Sequence, residues 1–386
     1  MSFHKLLHVE NNMEAHALIC AMCILLCIPP AIVWHHQYIS TICIIVFALT
    51  GLWKYRSLRK NNVTIFIAFL FLYLYFCLSK QYNLFRYGTF VLTCSIFLFN
   101  DQFLNKIFES FFKVYSILMI PSIMVFILVL SGFDYLLPNT VLDPIEASKN
   151  HNYVHYPFLV MPDYLTNIDY FRFMAFYDEP GVVGTISGLL LLSKKVEFNN
   201  WLTYPVLISG LLSMSLTFYV MIVVYILVIS NLKTKIWILS IFAIIFFLSY
   251  SYVEEYLNTY IIERLEFSGG KMSGDNRTSA SFDIFFHNFI RNDYHLFFGY
   301  GNNYAKIVNP GGGSYKDIIV DNGIIFFFAY ILSFIMLAGT KLKNTALLVY
   351  IITFACVFYQ RPFIHTFVYF ILLVLPIYGI KYNYNN

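Results

Sequence analysis

Charge is scarce in this chain. Asp, Glu, Lys and Arg make up 12% of its 386 residues, against about a quarter of the residues of a soluble domain. Hydrophobic residues make up 59%, and the mean hydropathy is +0.67. This balance excludes an ordinary soluble domain and predicts an integral membrane protein. The net charge of +4 is small and no basic arm is present, so we expect no nucleic-acid partner.

The sequence also lacks the motifs of common cofactor and metal sites. No GxSxG, P-loop or GxGxxG pattern occurs. His151 and His155 have helical spacing, but no carboxylate follows them in the HExxH form. Cys20 and Cys23 form a CxxC pair inside an apolar segment, where packing is favoured over redox or metal chemistry. We therefore expect neither a cofactor nor a metal.

About twelve apolar segments are long enough to cross a bilayer. They lie near 16–34, 38–53, 62–79, 84–100, 110–131, 180–193, 200–213, 215–231, 236–253, 319–338, 345–358 and 364–380. The pair 200–213 and 215–231 is either one broken helix or two helices. We expect the first segment to be retained, because no small-residue cleavage site follows it. The predicted fold class is an all-α, polytopic integral membrane protein.

The lysines and arginines of the short loops are concentrated in every second loop, which places most of them on one side of the membrane. Most of them lie at 54–60, 194–195, 233–235 and 341–343, and Lys381 follows the last segment. The positive-inside rule places these loops and both termini in the cytoplasm. Two large hydrophilic loops then face the outer side of the membrane.

This topology divides the chain into five regions. Residues 1–131 hold transmembrane helices 1–5, and 132–179 form the first large outer loop. Residues 180–253 hold helices 6–9, 254–318 form the second large outer loop, and 319–386 hold helices 10–12. The first loop is acidic and contains several prolines, which favours an ordered irregular loop over a long helix.

One stretch concentrates polar residues at the mouth of an apolar segment. Arg172 precedes the adjacent carboxylates Asp178 and Glu179, and Pro180 favours a helix start. Both carboxylates would lie at the positive end of the helix dipole. Glycines follow at 181, 184 and 188, so one face of this helix is nearly bare backbone. Another helix or the substrate would pack closely on that face. The alternative interpretation is a capped helix start with a stripe of small packing residues.

The second large loop is basic and aromatic. Residues 277–298 predict an amphipathic helix lying on the membrane surface. Arginine binds phosphate bidentately and keeps its charge near lipid, so a set of outer arginines favours a diphosphate ligand at headgroup level. The candidates are Arg172, Arg264, Arg277, Arg291 and Arg361. Each one alone is also explained by pairing with a loop carboxylate or a lipid phosphate.

Several short motifs of the chain are shared with one family. They are Arg172…Asp178-Glu179-Pro180-Gly181, Gly274-Asp-Asn-Arg277 followed by Phe298-Gly299-Tyr300-Gly301, and Gln360-Arg361-Pro362. With its many spans and two large outer loops, the chain resembles the Wzy-type O-antigen and capsular polysaccharide polymerases. Asp321-Asn322-Gly323 lies where the related O-antigen ligases often carry a His-Asn motif. One departure is Val183, which stands where an arginine–glycine spacing of some members requires glycine.

The resemblance implies a GT-C-type glycosyltransferase. Such an enzyme moves a growing glycan from undecaprenyl diphosphate to the non-reducing end of the next lipid-linked repeat unit, at the periplasmic face of the bacterial inner membrane. Asp178, Glu179 and Asp321 are the candidate catalytic carboxylates, and the five outer arginines would bind the diphosphate. Further candidate site residues are Gly299, Tyr300, Gly301 and His365. The implied partners are the undecaprenyl-diphosphate-linked oligosaccharide, membrane lipid, a chain-length regulator protein and a flippase.

Two other functions are compatible with the sequence. An O-antigen ligase would transfer the glycan to a lipid-A core, and the absence of a histidine beside Asn322 counts against it. A lipid-linked oligosaccharide flippase or other transporter would place charges along a central cavity. The mid-span positions here are nearly free of charge, since Arg86, Lys113 and Asp321 lie near span ends.

Overall fold

The described part of the chain is mostly α-helical. The computed structural model describes residues 3–28, 30, 33, 36–80, 84–143, 152–163, 172–229, 235–236, 240, 267–268, 271–272, 278–292, 294–301, 303–308, 314–363 and 366–384. Their α-helices are α1 (Phe3–Cys27), α2 (Gln37–Lys54), α3 (Lys60–Ser79), α4 (Leu84–Cys94), α5 (Asp101–Leu130), α6 (Pro180–Ser193), α7 (Thr203–Leu212), α8 (Leu216–Ile229), α9 (Ala280–Asn292), α10 (Tyr304–Val308), α11 (Tyr315–Lys341), α12 (Asn344–Gln360) and α13 (Phe367–Tyr384).

Among the described residues, four helices, α3, α5, α11 and α13, are long and apolar enough to cross a membrane, and several shorter apolar helices pack with them. The predicted segments 38–53, 62–79 and 180–193 agree with α2, α3 and α6 to within two residues. The predicted segment 236–253 lies almost entirely outside the described residues.

The start of α5 differs from the prediction, and the boundary between α7 and α8 decides between the two predicted alternatives. Helix α5 begins at Asp101 rather than near 110, because the Asn100 side chain accepts a hydrogen bond from the Phe103 N–H at 2.8 Å and caps the helix. The pair 200–213 and 215–231 is two helices, α7 and α8. They are separated by a short turn in which Met214 has a φ of 47°, a conformation that no helix interior contains.

The charged ends of several helices meet in one group. Asp101, at the start of α5, accepts hydrogen bonds from Lys341 at 2.9 Å and from Lys381 at 2.8 Å. Lys194, which follows α6, pairs with Glu109 at 2.9 Å. The C-terminal ends of α6, α11 and α13 therefore lie beside the N-terminal part of α5. The sequence assigns these ends to the same side of the membrane.

A second group forms at the opposite ends of α6 and α11. Lys80, directly after α3, pairs with Asp321 in α11. Arg361, directly after α12, pairs with Glu179, directly before α6. The sequence places these four positions together on the periplasmic side. Their grouping agrees with that arrangement, while the compartment that each group faces stays a prediction.

The first large loop contains a small antiparallel sheet. Strands β1 (Thr140–Leu142), β2 (Tyr153–Tyr156) and β3 (Leu159–Pro162) pair in that order. Tyr153 is buried, and its hydroxyl donates to the carbonyl of Asp178 at 3.3 Å. The sheet thereby holds the backbone that leads into α6. A long helix was not expected in this loop, and none is found in its described residues.

The amphipathic segment of the second large loop packs against the protein. Its helix, α9, is shorter than the predicted 277–298, and the aromatic side chains Phe282, Phe286 and Phe289 are buried against Ile319 and Val320 of α11. These three side chains therefore pack against the first turns of α11, which offer an apolar partner. That the segment lies on the membrane surface stays a prediction. Nearby, the two-residue strands β4 (Phe267–Ser268) and β5 (Lys271–Met272) pair antiparallel.

The glycine face of α6 is filled by α8. A Cβ atom on Gly184 would stand 2.2 Å from the Cβ of Ser215, and one on Gly188 would stand 2.6 Å from the sulfur of Met221. Ser187 adds a 3.0 Å hydrogen bond to Ser209 of α7. Glycine is required here because the helices approach closely. Of the two partners that the sequence allows for this face, a helix or the substrate, the structure places a helix against Gly184 and Gly188.

We expect Gly184→Ala to destabilise the protein by about 1–3 kcal/mol, because the new methyl group overpacks the contact with Ser215. Thermal unfolding of the detergent-purified protein measures the change. Gly339→Ala in α11 is the matched control, since nothing lies within 4 Å of its Cβ position. Equal melting temperatures for the two variants would contradict the close packing of α6 on α8.

Candidate functional site

The N-terminal end of α6 and the C-terminal end of α12 bring a carboxylate and a guanidinium together. Glu179 is the N-cap residue of α6, and its extended backbone leads into Pro180 at the first helical position. Arg361 follows the last residue of α12, and its N–H donates to the carbonyl of Val357 at 2.7 Å. Arg361 Nη2 lies 2.5 Å from Glu179 Oε2. Two of the predicted site residues thus form one ion pair.

Arg361 is a buried charge with unused hydrogen-bonding capacity. The residue is 7% exposed, whereas the side chain of Glu179 is 39% exposed. The buried Nε of Arg361 has no acceptor among the described residues. Burial lowers the pKa of the guanidinium, but the charges of the Glu179 and Asp178 carboxylates outweigh burial and raise this pKa above its ordinary value. The side chain therefore keeps its charge.

A second donor lies beside the guanidinium. A Cβ atom on Gly181 would stand 3.0 Å from Gln360 Nε2 and 3.1 Å from Arg361 Nη2. Glycine at 181 thus lets both nitrogens approach the first turn of α6. The other end of the Gln360 amide, Oε1, accepts a hydrogen bond from the Thr217 hydroxyl at 2.9 Å. Two side-chain donors and the positive end of a helix dipole meet here, which is an arrangement that suits an anion.

Arg172 and Asp178, the other two polar residues before α6, both take part in hydrogen bonds with main-chain carbonyl groups. Arg172 Nε and Nη2 donate to the carbonyls of Ser213 and Met214 at 3.2 and 2.9 Å, so this side chain fixes the turn between α7 and α8. Asp178 contributes its carbonyl to the hydroxyl of Tyr153, and its charge helps to raise the pKa of Arg361. Arg172, predicted as a phosphate ligand, has these backbone contacts in addition to any ligand role.

Asp321 belongs to a second cluster, at a break in α11. Gly323 has a φ of 82°, so the helix is interrupted directly after Asn322. Lys80 pairs with one oxygen of Asp321, and the N–H of Ala305 donates to the other at 2.7 Å. Burial lowers the pKa of Lys80, and the charge of Asp321 opposes that effect. Asp321 is 2% exposed, and both of its oxygens have partners, which favours a structural role over that of a base.

Gly299, Tyr300 and Gly301 shape the loop that covers this break. The N–H groups of Tyr300 and Gly301 donate to the carbonyls of Val320 and Asp321 at 2.8 and 2.9 Å. Gly299 and Gly301 have φ values of 77° and 71°, which only glycine adopts without strain. The Tyr300 ring stacks with His295 and with Tyr304, with ring centroids 4.3 and 4.4 Å away. These contacts hold Tyr300 within the aromatic cluster of this loop.

The remaining candidates are not brought to either cluster. Arg291 is exposed in the last turn of α9, and no contact in the described residues joins it to Glu179 or Asp321. Arg264, Arg277 and His365 lie outside the described residues. Within the described ranges, no three His, Cys, Asp or Glu side chains converge as the ligands of a metal would.

Sequence reasoning missed three residues of these clusters. Lys80 had a signal, because it is a lysine in a loop that the positive-inside rule places outside the cell. Gln360 had a weak signal as the neighbour of Arg361 in a family-like motif. Thr217 had none, because its contact with Gln360 depends entirely on how α8 packs on α12.

Comparison with known proteins identifies no relative. No protein-family model matches the chain, and no curated protein or solved structure is significantly similar to it.

Proposed function

We propose that the chain is a Wzy-type polysaccharide polymerase, a membrane glycosyltransferase that extends a glycan on undecaprenyl diphosphate. The observation that carries this proposal is Arg361, a buried arginine at the N-terminal end of α6 whose Nε–H has no acceptor in the described chain. A buried donor without an acceptor is costly, so it favours a ligand that supplies one. An anion satisfies both the hydrogen bond and the charge.

A lipid diphosphate fits this position better than a small soluble anion. The pair lies at the end of α6, an apolar helix without charged residues, and close to the ends of other apolar helices. A ligand with a long prenyl chain and a charged headgroup would place its headgroup at such a boundary. Arginine neutralises a departing diphosphate without a metal, through a planar fork of donors. We assign this role to Arg361, with Gln360 as a second donor.

The ion pair gives Glu179 a role in the same reaction. In the resting protein its carboxylate occupies Arg361, and the incoming diphosphate would take its place. The released carboxylate then accepts the proton of the acceptor hydroxyl. The hydroxyl oxygen forms a bond to the anomeric carbon of the growing glycan. The bond from that carbon to the diphosphate breaks, and its electron pair leaves with undecaprenyl diphosphate.

The proposal includes a place in the cell and a set of partners. We assign the protein to the bacterial inner membrane, with about twelve spans, a GT-C-type fold and both termini in the cytoplasm. The four long apolar helices and the two groups of charged helix ends support this assignment. The partners would be the lipid-linked repeat unit, a flippase that delivers it and a chain-length regulator.

Deletion of the gene in its host is the test of this function. We expect surface glycan to shrink from long chains to single repeat units, and a plasmid copy of the gene to restore long chains. Electrophoresis of extracted glycan resolves the two. A loss of all surface repeats, with lipid-linked repeats retained on the cytoplasmic side, would contradict the proposal and favour a flippase. An unchanged chain-length distribution would also contradict it.

A further inference from the structure

The side-chain amide of Gln360 is held in one orientation at the Arg361 site. Thr217, a buried residue near the start of α8, donates its hydroxyl hydrogen to Gln360 Oε1 at 2.9 Å. This bond uses the acceptor end of the amide and directs Nε2 towards Gly181. Fixing a glutamine side chain in one rotamer costs conformational entropy. The hydrogen bond from Thr217 offsets this cost and holds the amide in one orientation.

We propose that Gln360 is a specificity-determining residue for the second phosphate of a lipid diphosphate, and that Thr217 is its positioning residue. This inference rests on the proposed function, because it concerns the anion site at Arg361. It adds to that function a preference for a lipid diphosphate over a lipid monophosphate, because a monophosphate would need only the guanidinium of Arg361 and the N-terminal end of α6.

The geometry beside Gly181 supports two separate contacts. Gln360 Nε2 and Arg361 Nη2 lie within 3.1 Å of the same point next to the glycine, so the two donors are neighbours at one helix turn. The first N–H groups of any helix lack partners within it. A single phosphate group uses the charged donor first, because hydrogen bonds to charged groups are stronger. The adjacent, neutral amide is then available to an oxygen of the next phosphate.

The rest of the site leaves this contact to Gln360. The guanidinium of Arg361 is buried, so its reach is limited. Arg172 is engaged with the carbonyls of the turn between α7 and α8. Recognition of a second phosphate by a neutral amide also avoids a second buried charge, which would need its own counter-ion in the empty site.

The test compares the binding of undecaprenyl diphosphate and undecaprenyl monophosphate to the detergent-purified full chain. We expect the wild-type protein to bind the diphosphate at least about ten-fold more tightly, the value of one hydrogen bond to a charged group. Gln360→Leu and Thr217→Val should remove this preference by weakening diphosphate binding, with monophosphate affinity nearly unchanged. Thr217→Ser keeps the hydroxyl and should keep the preference.

Thr353→Val in α12 is the matched control, because the Thr353 hydroxyl bonds the carbonyl of Val349 in its own helix. It should leave the preference intact. A wild-type protein without a preference would overturn the inference, and so would Gln360→Leu and Thr217→Val variants that retain it. Equal weakening of both lipids would also overturn it, since that result indicates packing alone. The proposed function fails separately, through unchanged glycan length in the deletion strain.

Discussion

Replacing Arg361 with glutamine is expected to reduce chain elongation by more than about a hundred-fold. Arg361 would give the leaving diphosphate at least two charge-assisted hydrogen bonds, each worth about 1.5–3 kcal/mol. Losing about 3 kcal/mol or more corresponds to that factor. Arg361→Lys keeps the charge but not the planar fork, so it should recover only part of the rate. Glycan length in the complemented deletion strain and the rate of the purified protein measure both effects.

Two controls separate catalysis from folding in this experiment. Arg59→Gln alters an exposed arginine in the loop before α3, and it should elongate normally. The double variant Arg361→Gln, Glu179→Gln removes both charges of the pair, so it should melt close to the wild-type temperature while remaining inactive. Normal chain lengths in folded Arg361→Gln protein would contradict the assignment of this site.

The second large effect is expected at the two carboxylates before α6. Glu179, whose backbone is extended at the N-cap of α6, carries its carboxylate onto Arg361. Glu179→Gln should therefore lower elongation by about 10²–10⁴, the usual contribution of a general base. Asp178→Asn should cost less than about ten-fold, because the carboxylate that occupies Arg361 is that of Glu179.

Glu179→Gln should lower the elongation rate without weakening the binding of undecaprenyl diphosphate. Because Glu179 occupies Arg361 in the resting protein, Glu179→Gln should bind undecaprenyl diphosphate as tightly as the wild type or more tightly. Binding measured on the purified variant, beside its elongation rate, tests this combination. If both carboxylate variants produce full-length polymer, Glu179 and Asp178 only cap the helix. The proposal that the diphosphate replaces Glu179 on Arg361 is then wrong.

Local chemistry explains why some elements were predictable from the sequence. Helix α6 starts at Pro180 because proline presets the helical φ and lacks an N–H that the first turn would leave unpaired. The start of α5 was missed, because hydropathy reports the apolar span, whereas the Asn100 cap and the buried Phe103 extend the helix beyond it. The packing of α9 on α11 was missed for a related reason: an amphipathic pattern gives a face but not its partner.

The candidate site shows the same limit more strongly. Glu179 and Arg361 were each singled out by residue type and position, yet they are 182 residues apart and only the packing of α6 against α12 joins them. Asp321 was selected for its place at a span entry, but Lys80 and the Ala305 N–H engage it. Pairing of this kind depends on tertiary contacts that no single segment encodes.

Reconstitution of the purified wild-type protein in liposomes with lipid-linked repeat units tests the central claim most directly. Without any other protein, we expect glycans of more than one repeat, with one undecaprenyl diphosphate released for each new glycosidic bond. A chelator should leave the rate unchanged, because Arg361 supplies the charge that neutralises the diphosphate. Repeat units recovered without extension, from liposomes in which the protein is folded and binds undecaprenyl diphosphate, would contradict the account.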